Sequence, residues 1–86
     1  MEQYVLVAAH KESLGEFLVP VNDANVFAYS LSQKLHNETL ELFEKKFYRK
    51  AVTNCMELKY AFGGSLIEYY KSFISDIHGI MNEESD

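Results

Sequence analysis

Three histidines, one cysteine and thirteen carboxylates are the residues of this 86-residue chain that could carry acid, base, nucleophilic or metal chemistry. His10, His36 and His78 lack the i, i+4 spacing that aims two imidazoles at one metal. They read as surface histidines on a loop, at a helix end and in a late helical turn, where a partial positive charge on His78 suits the dipole. Cys55 lies between Asn54 and Met56, in phase with an apolar stripe, and reads as a small core residue rather than a thiolate nucleophile. Glu38, Glu41 and Glu44 fall in the first turns of an expected helix, where acids complement the macrodipole and Glu41 is spaced to pair with Lys45. Gly63-Gly64 fits neither G-x-x-x-x-G-K-[ST] nor G-x-G-x-x-G, and there is no G-x-S-x-G elbow. The chain therefore reads as non-catalytic, with no metal centre and no cofactor.

Binding chemistry is better represented. Lys45-Lys46-Phe47-Tyr48-Arg49-Lys50 interleaves four cations with two aromatic rings, a combination that suits phosphates and unstacked bases. The competing reading is a solvated basic face that balances acids one turn earlier, with Phe47 turned to the core. Twelve Phe and Tyr are more than so short a chain is expected to bury, and Tyr is enriched at interface hot spots. Tyr29, Tyr48, Tyr60, Tyr69 and Tyr70, with the acids Glu68 and Asp76, are the candidate contacts for a protein partner. The net charge of −5 is segregated, −3 over residues 1 to 33, +2 over 34 to 62 and −4 over 63 to 86. Such a dipolar surface suits steering toward a charged protein more than broad contact with a duplex.

These side chains need elements to hold them. Residues 3 to 9 and 16 to 21 are rich in β-branched and aromatic residues and read as strands joined by a polar loop ending at Gly15. Pro20 has no N–H for a ladder, which places the second strand at an edge or at its end. Asn22 and Asp23 are suited to cap a helix from about 24 to 36, whose apolar stripe is Phe27, Leu31 and Leu35. Asn37 offers another cap, and Leu40, Phe43, Phe47, Ala51, Cys55, Leu58 and Phe62 carry helical periodicity over 38 to 62. Within 54 to 62, Met56, Leu58, Tyr60 and Phe62 also alternate as a strand would, so helix and strand compete there. Gly63-Gly64 breaks the chain. Ser65 and Glu68 match a capping box opening a helix over 65 to 80, with a seam of Leu66, Tyr70, Phe73, Ile77 and Ile80 ending at Gly79.

The expectation is a single α+β domain, residues 1 to 86, in which an N-terminal antiparallel hairpin packs on two or three helices and 82 to 86 form an acidic tail. A lone cysteine suits a reducing, cytoplasmic setting. No apolar run approaches the roughly 18 residues a membrane span needs, and no secretory leader is evident, so the chain is expected to stay in water. The favoured function is a small acidic protein-binding regulator, an inhibitor or accessory factor of a larger assembly. A nucleic-acid-binding regulator using Lys45, Lys46, Arg49 and Lys50 is the alternative, and self-association through the Leu66, Tyr70, Phe73, Ile77 seam is compatible with either.

Overall fold

Alternation of side chains makes the first third of the chain a two-faced ribbon. In the computed structural model, which describes residues 3–21, 26–62, 64 and 66–84 and only the backbone of 26 and 27, β1 (Gln3–Ala8) pairs antiparallel with β2 (Glu16–Val21). The register runs from Gln3↔Val21 to Ala8↔Glu16, so Val5, Val7, Phe17, Val19 and Val21 line one face and Tyr4, Leu6, Leu18 and Pro20 the other. A 3₁₀ turn at Glu12–Leu14 and Gly15, at φ +71°, close the connection. Gly15 is required there because a Cβ resists positive φ. The carbonyls of Leu6 and Ala8 accept hydrogen bonds from Gln33 and His36 of the first helix, so β1 turns its even-numbered backbone groups away from β2. By the same parity the missing N–H of Pro20, opposite Tyr4, lies on the outer side of β2, where no ladder bond is lost.

Three helices follow: α1 (Val26–Glu44), α2 (Tyr48–Ala61) and α3 (Ile67–Glu84). The fold is α+β, as expected. Tyr29 of α1 packs against Phe62 just past α2, whereas Phe43 near the end of α1 packs against Tyr48 at the start of α2, so these two helices are antiparallel. The core combines Val7, Val19 and Val21 with Ala51, Cys55 and Leu58 of α2 and Tyr70, Phe73 and Ile77 of α3. Residues 54 to 61 are helical, and the alternation expected of a strand is resolved as opposite helix faces, with Leu58 buried and Met56 and Tyr60 exposed.

Three helix boundaries differ from those the sequence suggested. Asn37 does not open a new helix; α1 runs straight through it, because Leu35, His36, Thr39, Leu40 and Phe43 continue one inward face across that position. Gly79 does not end α3, which continues to Glu84 and includes Asn82 and Glu83 from the supposed tail. One glycine costs a helix only about 1 kcal/mol, and Met81 beyond it still packs on the core. The expected helix 38 to 62 is instead broken between Glu44 and Tyr48. The caps assigned to Asn22 and Asp23, the break at Gly63 and the capping role of Ser65 lie outside the described residues.

The inward stripe of α1 also differs. Leu31 is 54% exposed, the side chain of Phe27 lies outside the described residues, and the buried positions among the rest of α1 are Tyr29, Ser32, His36 and Thr39, a three-four-three spacing carried largely by polar residues. Burial is tolerated because each polar atom is bonded: Ser32 Oγ donates to Ala28 O at 2.8 Å and Thr39 Oγ1 to Leu35 O at 2.7 Å. Among the described residues no buried side-chain polar atom lacks a partner.

The break between α1 and α2 is a Schellman closure. Phe47 N donates to Leu42 O at 2.9 Å and Lys46 N to Phe43 O at 3.1 Å, with Lys46 at φ +67° in the position usually held by glycine. Lys46 is the only non-glycine residue at positive φ among those described. Left-handed backbone costs an L-residue roughly 1 kcal/mol. Lys46→Gly is expected to raise the urea midpoint by the equivalent of about 1 kcal/mol at unchanged slope, and Lys46→Ala, which keeps a Cβ, is not. Equal effects from both variants would show that the lysine side chain, not the backbone, sets the stability of this turn.

Candidate functional site

Two histidines that read as surface residues are enclosed by the protein. The side chain of His10 is 1% exposed and His36 is wholly buried, whereas His78 is exposed. Burial of an imidazole requires that both nitrogens find partners, and in both cases they do.

His36 projects from α1 between β1 and α3. Its Nε2 lies against the Ala8 carbonyl and its Nδ1 is 2.9 Å from Tyr70 Oη. A carbonyl only accepts, so Nε2 carries the proton, Nδ1 is a lone pair, and the Tyr70 hydroxyl donates to it. The ring is neutral in this arrangement, since a proton on Nδ1 would leave the Tyr70 hydroxyl without its acceptor. Burial lowers the His36 pKa from its ordinary 6.5, opposed by the Ala8 bond and aided by His10. Tyr70 and Tyr69 are pushed up, in both cases chiefly by burial, and remain protonated hydroxyls.

His10 forms the second linkage. Its backbone N–H donates to Tyr69 Oη at 2.8 Å, its Nδ1 is 3.0 Å from the same oxygen, and its Nε2 is 2.8 Å from Asp76 Oδ2. The carboxylate accepts from Nε2–H, which leaves Nδ1 to accept the Tyr69 hydroxyl. Lys11 Nζ meets the same carboxylate oxygen at 2.9 Å. Lys11 first and His10 second hold the Asp76 carboxyl below its ordinary 3.8. The imidazole stacks on Phe73 at 4.0 Å and meets Phe43 edge-on at 5.7 Å.

Tyrosine, histidine and aspartate stand here in the order of a nucleophile, base and orienter, and the chain they form ties the loop after β1 to α3. Both imidazole nitrogens are hydrogen-bonded within the protein, and His10 forms part of the floor of a shallow depression of about 340 Å³ that it lines with Lys11, Phe43, Asp76 and Gly79. Cys55 is buried with its thiol pushed up to about 12 by burial, the opposite of an activated nucleophile. Among the described residues no cluster of three metal-ligating side chains exists, and no helix is long and apolar enough to cross a membrane.

The tyrosines and acids expected at a protein interface are largely elsewhere. Tyr29, Tyr69 and Tyr70 are core residues, and Tyr48 is half-buried against Phe43, 6.0 Å between rings. Tyr60 is exposed, with Lys59 Nζ 5.4 Å from its ring centre. Glu68 is exposed and 3.8 Å from Lys71, a surface contact of little consequence. Asp76 is committed to His10 and Lys11. The seam of Leu66, Tyr70, Phe73 and Ile77 is fully used inside the chain, which removes it as a dimer contact.

Lys45, Lys46, Arg49 and Lys50 are all exposed, and Phe47, expected in the core, is 54% exposed. The Schellman closure causes this: it turns the chain at Lys46, so Phe47 leaves the phase of the preceding helix. The other large apolar residues that reach solvent are Tyr4, Leu6, Leu14 and Leu18 on the hairpin and Leu31, Met56 and Tyr60 on the helices.

None of the family models, curated proteins or solved structures compared with this chain matches it. The fold and its linkages define a small α+β domain in which a hairpin is fastened to a helical layer by two buried histidines.

The His36 pKa is lowered in the folded state, so its contribution to stability is present above the unfolded value of about 6.5 and is lost as pH falls below it. Urea unfolding between pH 7.5 and 5.5 is expected to weaken by up to about 1.4 kcal/mol per pH unit in the lower part of that range. His36→Gln flattens the dependence. Asp76, with its pKa lowered, adds stability above its ordinary 3.8 that is lost only in stronger acid. Identical pH profiles for wild type and His36→Gln would sink the neutral-imidazole account. The Cys55 thiol is expected to resist a thiol reagent at pH 8 under native conditions and to react at once in urea; rapid native labelling would contradict its burial.

Proposed function

We propose that this chain is a non-catalytic protein-binding regulator, an inhibitor or accessory factor of a larger assembly, and that the outer face of its hairpin makes the contact. The reading rests on one observation: Leu6 and Leu18 stand directly opposite each other on the outward face of the sheet, and Leu18 is 66% exposed. Tyr4 and Pro20 extend the same face by one pair. A small domain gains nothing from displaying paired leucines to water, and contiguous apolar patches of this kind mark contact surfaces.

Charge specifies the occupant. Glu12 and Glu16 are exposed beside this face, and the first 33 residues carry −3. The fitting partner is a protein with an apolar patch rimmed by basic residues, so that steering and burial favour the same encounter. The linkages at His10 and His36 hold the hairpin rigidly to the helices, which limits the ordering entropy lost on binding. A free, unpaired Cys55 suits a reducing compartment such as the cytoplasm.

Leu6→Lys with Leu18→Lys places two cations directly opposite each other on the outward face and is expected to cost about 1 kcal/mol, with the variant still folded. Cross-linking in native cells, with wild type, this variant and Tyr60→Ala as parallel baits, tests the surface. Partners held by wild type and Tyr60→Ala are expected to be lost from the double lysine variant. Recovery of the same proteins by all three baits would place the contact elsewhere.

A further inference from the structure

We propose that the corner where α1 gives way to α2 is a binding site for single-stranded nucleic acid, with Lys45, Lys46, Arg49 and Lys50 on phosphates and the ring of Phe47 stacked on a base. This goes beyond the hairpin surface and is independent of it. The first support is electrostatic. All four cations are exposed, and among the described residues none lies within ion-pair distance of a carboxylate, although Glu41 and Glu44 are close in sequence. A basic face that merely balanced neighbouring acids would show those pairs. Over a screening length of about 10 Å, such a cluster acts by its own sign rather than by the net charge of the chain.

The second support is the aromatic ring. Phe47 is 54% exposed amid these cations, while Tyr48 beside it is braced against Phe43. A depression of about 310 Å³ is lined by Lys46, Phe47, Tyr48, Arg49 and Lys50. A flat apolar ring among cations fits an unstacked base joined to phosphates; an acidic peptide would use the cations and leave the ring idle. One such corner suits a short single strand, whereas a duplex would bring more phosphates against an acidic chain.

A third observation concerns local stability. Arg49 and Lys50 occupy the first turn of α2, where cations oppose the macrodipole, and that turn has no acid and no side-chain cap. Lys46 holds a left-handed conformation that glycine would adopt without strain. Three positions thus carry cations where helix physics favours other residues, and the common result is concentrated positive potential. Glu84, from the end of α3, lines a neighbouring depression with Lys46 and Arg49 and moderates that potential.

Fluorescence anisotropy of a labelled 12-nucleotide oligothymidine tests the site. Four phosphate contacts to a single strand give a log–log salt slope of about −2.8, or roughly 50-fold weaker binding at 200 than at 50 mM salt. Phe47→Ala is expected to weaken binding about tenfold without changing the slope. Lys46→Gly is expected to weaken binding and make the slope shallower by about 0.7 while the fold becomes more stable, which separates lost contact from lost structure. Lys45→Gln with Lys50→Gln is expected to make the slope shallower by about 1.4 without touching the backbone turn, and Glu84→Gln shifts affinity the other way. Absence of binding at 50 mM salt, wild-type affinity in Phe47→Ala, or equal affinity for an acidic peptide of the same charge would each overturn the proposal, the last by assigning the corner to an acidic protein.

Discussion

The neutral imidazole of His36 is the joint on which the architecture depends. A two-stranded hairpin is marginal in water and α1 buries an unusually polar face, so neither is stable by itself. The two ring nitrogens of His36 answer both needs: one satisfies the Ala8 carbonyl on the outer edge of β1, and the other takes the proton of Tyr70 on α3. The ring thereby binds sheet, α1 and α3 at one buried point. Gln33 repeats the edge contact one turn earlier at Leu6, and His10 repeats the linkage to α3 at the far end of β1 through Tyr69 and Asp76. The hairpin is held by hydrogen bonds at spaced positions as well as by its valines. Unlike apolar contact alone, such bonds fix its register against the helices.

That arrangement explains which parts of the fold were legible in the sequence. Alternation and the polar loop gave away the hairpin, and three-four spacing gave away Ala51, Cys55 and Leu58 on α2, Phe62 just past it, and Tyr70, Phe73 and Ile77 on α3, because those faces are apolar. On α1 the sequence showed Leu35, Leu40 and Phe43 as inward residues, but Tyr29, Ser32, His36 and Thr39 were missed because their three-four-three spacing appears only when polar residues are admitted to it. The candidate contacts suffered from the same cause. Tyr69 and Tyr70 belong to the hydrogen-bond system that fixes the histidines, a role no local pattern reveals, since His10 and Asp76 are separated by 66 positions. Only the occurrence of His36 exactly one heptad after Tyr29 carried a usable hint.

The helix break at Lys46 was illegible for a different reason. Turn closure normally announces itself through glycine, and here a lysine stands in the left-handed position while the apolar spacing runs on through Phe47. Sequence periodicity therefore continued where the backbone did not. The same geometric fact moved Phe47 from the core to the surface and converted an ordinary basic stretch of helix into a corner that projects its charges.

The histidine linkages and the proposed binding corner share a boundary at Phe43. Phe43 accepts the backbone of Lys46, meets the ring of Tyr48, and closes edge-on against His10 and Phe73. Tyr48 is thus braced by the same aromatic cluster that encloses His10. The rigid interior ends at Phe43, and Lys45, Lys46 and Phe47 just beyond it present two cations and a ring to solvent. A surface built this way needs little reorganisation to meet a ligand, because its backbone is fixed by the Schellman hydrogen bonds and its inner wall by packed aromatics. Substitutions at Phe43 would therefore disturb both ends of the molecule's logic, whereas substitutions at Lys46 act on the corner alone.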